Sequence, residues 1–311
     1  MPIVGAFATS HAYTFQEPET WDVRRERSKA NVARKAGRPA SDTPQAQAET
    51  LEDNRRRYAP IREGHEKIRL KLKEANADAV LLIGDDQAEN FTADNMPQLL
   101  IYTGEEYLAD DWDRKHSARI ASHAPIARKL VEGCMDEGFD VAWSNVFRDQ
   151  NKLLSHAHTE PVLYIVKDTG IPAIPLFVNA VHPPAPTPAR CYAFGQALGR
   201  VLKTMPERVV LGASGGLSHF SPSHPWAHHV GNRYVGDISV EFDRQLIEWM
   251  RAGEGEKLAR FSSKDLIENG EAELRQWIVM LGAIGSARPE FLVYEPLYRS
   301  IMGMGVGWWS L

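Results

Sequence analysis

Histidine is the side chain best suited to proton transfer and to binding divalent metals near neutral pH, and this sequence contains 11 of them. Four segments set histidine or acid beside glycine or serine: Ser10-His11, Gly84-Asp85-Asp86-Gln87, Ser155-His156-Ala157-His158 and Gly215-Gly216-Leu217-Ser218-His219. One histidine in a loop carries little weight. Several at comparable strand ends converge on one rim of a sheet, which is where α/β proteins bind ligands. The Gly-Gly-Leu-Ser-His segment is the most specific, because glycine permits a tight turn or close backbone approach and presents His219 at the sheet edge. A fifth segment, Asn269-Gly270-Glu271-Ala272-Glu273, carries two glutamates two positions apart, which point to different faces of a helix.

The elements that must position these residues follow from apolar patterning. Residues 3–9 form a short buried strand that ends at Ser10-His11. Residues 60–77 have helical spacing, and 79–87 is a continuous apolar run closed by Gly-Asp-Asp, as in a central parallel strand. The pattern then predicts a helix over 118–138 and strands at 139–143, 161–166 and 174–179. Beyond these it predicts a helix over 188–204, a strand at 207–214, and helices over 240–252 and 264–284. Such alternation predicts an α/β fold, a layered α/β/α arrangement around a mostly parallel or mixed central sheet. The stretch 18–58 is rich in Arg, Ala, Glu and Gln and poor in large apolar residues. It reads as a helical insertion in a single domain spanning 1–311, acting as a lid over a pocket or as an arm onto another subunit.

Composition removes several classes of function. The 36 basic and 41 acidic side chains leave a net charge of −5, which argues against a nucleic-acid partner. Cys134 and Cys191 alone supply neither a disulfide framework nor a zinc knuckle, as expected for a cytoplasmic protein. No apolar run approaches the length of a membrane span, so no membrane association is expected. The first residues lack the basic and apolar regions of a signal peptide.

Taken in order, ATSHAY, GDDQAENF, HTEPVLYIV, GASGGLSHF and GEAELRQWIVMLGAI resemble the class III extradiol ring-cleavage dioxygenases. The pattern is similar to the catalytic subunit of protocatechuate 4,5-dioxygenase and to gallate dioxygenases. The resemblance implies a non-haem iron(II) site, or another divalent metal, held by two histidines and a glutamate, with open positions for substrate and dioxygen. It implies His11 as the first metal ligand and Glu273, rather than Glu271, as the carboxylate. The second metal histidine of that family falls at Gln87, a departure that leaves three readings. Gln87 ligates through its amide oxygen; or His65, His123 or His156 supplies a nitrogen; or the site takes no iron. The resemblance also implies that His158 and His219 are the catalytic acid–base groups. The expected partners are a small dihydroxylated aromatic and O2, with a homo-oligomeric assembly and the option of a second subunit. Two rival functions stand beside this one. The first is a hydrolase, decarboxylase or isomerase on the same scaffold, and the second a non-catalytic partner subunit.

Overall fold

The computed structural model describes residues 2–37, 39–111, 115–146, 154–220 and 235–311. In chain order these form β1 (Ile3–Thr9), α1 (Pro18–Ala36), α2 (Pro44–Ala48), α3 (Leu51–Ala75), β2 (Ala79–Gly84), β3 (Leu99–Tyr102), β4 (Glu106–Asp110) and β5 (Ser117–Ala121). There follow α4 (Ala124–Asp136), β6 (Ala142–Ser144), α5 (His156–Pro161), β7 (Ala173–Val178), α6 (Pro188–Thr204) and β8 (Val209–Ser214). The last elements are α7 (Val240–Ala252), α8 (Ser263–Asn269), α9 (Leu274–Ile284), β9 (Phe291–Leu297) and β10 (Met302–Ser310).

Eight strands make one mixed sheet in the order β6-β3-β7-β2-β8-β1-β10-β9, and β4 and β5 pair separately. The four central strands β7, β2, β8 and β1 run parallel. Strand β3 runs antiparallel to β7, and β10 antiparallel to β1. Side chains alternate across a strand, and β2 is buried on both faces. Ala79, Leu81 and Ile83 enter a core with α4, α6 and α9, while Val80 and Leu82 enter a second core with α3 and residues 154–166. The layered α/β/α architecture is therefore present. Because the central strands are parallel, Ser10-His11, Gly84-Asp85 and Ser214-Gly215 lie together at one rim. Among the described residues no helix is long and apolar enough to cross a membrane.

Several expected elements differ. Residues 161–166 are helical, not a strand: α5, capped by the Ser155 side chain, runs on as a π-helical turn over Val162–Val166. A short apolar run buried all round has no periodicity that separates strand from helix. Residues 117–121 are β5 rather than the start of a helix; α4 begins only after His123, whose ring accepts from Ile126 N. The expected strand at 139–143 is the edge strand β6. The run 264–284 breaks at Gly270, whose φ of +72° ends α8, and Glu271–Glu273 occupy the turn before α9. The expected insertion boundary at 58 falls inside α3, which opens with a Thr50–Asp53 capping box and continues through Pro60 to Ala75.

Candidate active site

Glu273 sits at the N-terminal cap of α9 and is completely buried. Its Oε2 accepts from Gly216 N at 2.6 Å and lies 3.5 Å from His11 Nε2. Its Oε1 accepts from Gln87 Nε2 at 2.8 Å and lies 3.4 Å from His219 Nε2. Three strand ends thus deliver their side chains to one carboxylate. The glycines of the loop after β8 are needed for this approach. A Cβ at Gly215 would stand 2.6 Å from the Glu273 carbonyl oxygen, and one at Gly216 2.8 Å from the His219 ring. The two histidines are held from behind: His11 Nδ1 meets Ser214 Oγ at 3.1 Å, and His219 Nδ1 donates to Leu217 O at 2.8 Å. Each therefore turns Nε2 toward Glu273.

Above this cluster opens a cavity of about 460 Å³. Its base is formed by His11, Gln87, Glu89, His156, His219 and Glu273, and one wall by α1. The segment at 18–36 therefore covers the site within its own chain. His158, expected as an acid–base group, sits elsewhere. His158 does not line the cavity; its ring lies 4.3 Å from Phe177, against Gly84, and its Nε2 donates to Leu176 O at 3.1 Å. It is His156, two residues earlier in α5, that faces the cavity. It bonds through Nδ1 to Glu89 and stands edge-on to His11, with ring centroids 4.8 Å apart. The Ser-His-Ala-His segment gives no basis for choosing between the two rings unless it is known to start a helix.

His65 and His123 lie away from the cavity. His65 meets Thr9 Oγ1 at 3.0 Å and stacks on Phe15, and His123 caps α4. Asp86 closes the loop after β2 by accepting from the backbone N–H groups of Glu89, Asn90 and Phe91. Residues 212–216, Gly-Ala-Ser-Gly-Gly, have the letter frame of a nucleophile elbow. That motif requires a strand-to-helix turn with an exposed serine. Here β8 runs into a loop, and Ser214 is fully buried against His11.

The electrostatics divide the acids. Burial alone would protonate Glu273, but the imidazoles of His11 and His219 hold it well below the usual carboxylate range. Burial likewise opposes charge on His219, yet Glu273 raises it. On His11 burial prevails and lowers it, leaving the neutral ring that a metal ligand must be. Against burial, Glu89 pushes His156 up to about 10, and His156 in turn takes Glu89 down to about 2. Burial pushes His158 down to about 4. Asp85 is driven well above its ordinary value, first by burial and then by Glu273.

Asp85 is the residue that sequence reasoning passed over. It is fully buried, and neither carboxylate oxygen has a hydrogen-bond partner among the described residues. A buried carboxylate left unpartnered is costly. Ligand atoms of His11, Asp85 and Glu273 all lie within 4.8 Å of one another. One nitrogen and two carboxylates with an orphaned acid among them fit a hard divalent cation. Gln87, by contrast, spends its amide N–H on Glu273.

Comparison with known proteins identifies the family. The family profile "Catalytic LigB subunit of aromatic ring-opening dioxygenase" matches residues 43–307, a span that starts after His11 and α1. The 2,3-dihydroxyphenylpropionate/2,3-dihydroxicinnamic acid 1,2-dioxygenase of Klebsiella pneumoniae is 29% identical over 289 residues, covering 76% of this chain and 87% of that protein. The protein of the same name from Photorhabdus laumondii is 24% identical, covering 79% and 88%. Among solved structures, an uncharacterised protein from Escherichia coli K12 superposes with a TM-score of 0.50 at 14% identity, over 98% of this chain and 99% of that one, and shares the fold. On the strength of the family match, the chain belongs to the catalytic LigB subunits of aromatic ring-opening dioxygenases and is an oxidoreductase.

Proposed function

We propose that the chain cleaves the ring of a catechol-like aromatic with O2 at an iron(II) site held by His11, Asp85 and Glu273. The observation that carries the metal set is the unpartnered Asp85 carboxylate beside His11 and Glu273. When bound, the cation would supply the Lewis-acid and electron-transfer chemistry that couples the aromatic ring to dioxygen. Ser214 fixes the His11 ring with Nε2 turned to Glu273, where it would hold the cation, and Gln87 and Gly216 N–H groups fix the two Glu273 oxygens. In this reading Gln87 orients the metal carboxylate and Asp85 fills the third position.

Proton handling falls to the two imidazoles on the cavity. His219, with Nδ1 committed to Leu217 O, presents Nε2 to take a hydroxyl proton from the substrate. His156, kept protonated by Glu89, returns a proton as the ring opens. His158 supports the end of β2 from behind. Both oxygen atoms of O2 end in the ring-opened product, a semialdehyde or its acid analogue.

Anaerobic iron(II) titration of the wild type, Asp85→Asn and Gln87→Ala tests the ligand set. Loss of an outer-sphere hydrogen bond costs roughly 10–100-fold in metal affinity. Gln87→Ala is expected within that range and Asp85→Asn beyond it. Wild-type affinity in Asp85→Asn, with binding abolished in Gln87→Ala, would transfer the ligand role to Gln87. Iron-loaded protein that takes up no oxygen with any of a panel of catechols would end the ring-cleavage reading.

A further inference from the structure

The cavity is electrostatically lopsided. At its base the carboxylates of Glu89 and Glu273 are matched by His156 and by His11, His219 and Gln87. The wall made by α1 is different. Arg27, Asn31 and Arg34 all line the cavity, at spacings of four and three residues that place them on one helix face. Seven residues of helix rise about 10.5 Å, or two turns. Arg34 leans back toward the first of these turns and donates through Nη2 to Asn31 Oδ1 at 3.1 Å. Its guanidinium is thus oriented in advance. Arg27 makes no ion pair or hydrogen bond among the described residues. The cations elsewhere on α1 behave differently: Arg25 pairs with Asp22 and Asp42, and Lys29 with Glu26 and Asp42. The helix therefore neutralises these cations and leaves positive charge facing the cavity.

We infer that Arg27, Asn31 and Arg34 form a carboxylate-recognition site that selects aromatic substrates carrying an anionic side chain on the part of the molecule facing away from the metal. The planar guanidinium of arginine matches a carboxylate through paired N–H donors. Asn31 lies between the two arginines on the same face. The site is carried by α1, which precedes the stretch matched by the family profile. The inference rests on the ring-cleavage reading only for the aromatic half of the ligand.

The test separates the two. Calorimetric binding of 3-phenylpropionate, which has the side chain but no ring hydroxyls, is compared with that of 3-phenylpropionamide on the wild type, Arg27→Gln, Arg34→Gln and the double variant. Loss of a hydrogen bond to a charged group corresponds to roughly a 10–100-fold weakening. That loss is expected for the acid in each single variant, with a larger loss in the double variant and no change for the amide. Arg27→Lys should recover part of the affinity. In parallel, oxygen uptake with 3-(2,3-dihydroxyphenyl)propionate should show KM raised and kcat retained in Arg27→Gln, while its methyl ester is unaffected. Equal binding of acid and amide by the wild type, no binding of the acid, or equal weakening of both in the variants overturns the site on α1. Variants that weaken acid binding in a protein that consumes no catechol uphold the site and refute the dioxygenase reading. Both arginines are exposed, so the fold is expected to survive, and an unchanged melting temperature confirms it.

Discussion

Gly84→Ala separates a structural from a catalytic role for His158. A Cβ at Gly84 would stand 2.7 Å from His158 Cε1 and 2.8 Å from its Nε2. Carbon contacts rest at about 3.5–4.0 Å, so the ring must retreat by about 0.8 Å or more. It has nowhere to go. Phe177 packs against its face at a centroid distance of 4.3 Å, and Nε2 is bonded to Leu176 O on the neighbouring strand β7. Overpacking of this kind costs about 1–3 kcal/mol, and the lost hydrogen bond adds about 1 kcal/mol. A total of about 2–4 kcal/mol corresponds to a fall in melting temperature of roughly 3–6 °C for a chain of 311 residues. His158→Ser opens the space, so Gly84→Ala in that background should cost little, leaving a coupling of about 2 kcal/mol. The assay is thermal melting of the four proteins of the cycle, with steady-state oxygen uptake beside it. Additive costs would show that the ring is not what the methyl group meets. Full stability in Gly84→Ala with turnover cut a hundredfold would place His158 in the chemistry and refute the argument.

Two further outcomes follow from the site and its support. His219→Ala should retain metal and lose turnover by roughly 10²–10⁴-fold, the scale of a general acid–base group; anaerobic metal analysis that shows iron lost with the ring would make His219 a ligand instead. Burial takes His65 down to about 3, so between about pH 6.5 and pH 3 the unfolded chain binds a proton that the folded chain does not. Stability attributable to His65 is complete above about pH 6.5 and falls as pH drops toward 3, by about 2 kcal/mol between about pH 7 and pH 5. His65→Gln should remove that part of the slope in denaturant titrations at the two pH values, and an unchanged slope would show that His65 is not its source.

The parallel core was legible because its strands are continuous apolar runs followed by Gly, Ser or Asp; β8 ends where the sequence predicts, at Ser214, and β2 stops at Gly84 within the expected run 79–87. Helices α6 and α7 carry clear periodicity and agree with the expected ranges. The helical 161–166 was hidden, since a wholly buried π-helical turn leaves no pattern in apolar spacing; the break at Asn269-Gly270 is signalled by the dipeptide itself, while the apolar spacing carries on across 264–284. Strand β10 was missed for a different reason. Met302-Gly303-Met304-Gly305-Val306-Gly307 alternates with glycine, which reads as a loop. In the fold, neighbouring side chains take the vacated space: a Cβ at Gly307 would meet Leu292 at 2.7 Å. At the site, His11 and His219 stand out at strand ends, Glu273 is singled out from Glu271 only by the family resemblance, and the structure brings the three together. Asp85 escaped notice because nothing in Gly-Asp-Asp-Gln distinguishes the acid that closes a loop from the one left unpartnered; only the backbone N–H groups around Asp86 do so.

The pairing of β1 with β10 sets an order of events during synthesis. Ser10 N donates to Gly305 O and Gly305 N to Ser10 Oγ, across 295 residues of chain. Those bonds anchor the backbone that carries His11. A ribosome releases residue 305 long after residue 10, so this edge of β1 closes only after β8 and Ser214 are available to support the other edge and the His11 ring. Under the proposed ligand set, a cation that met Asp85 before Glu273 had emerged would find no cage, so loading would follow assembly of the sheet rather than accompany synthesis of its first strands.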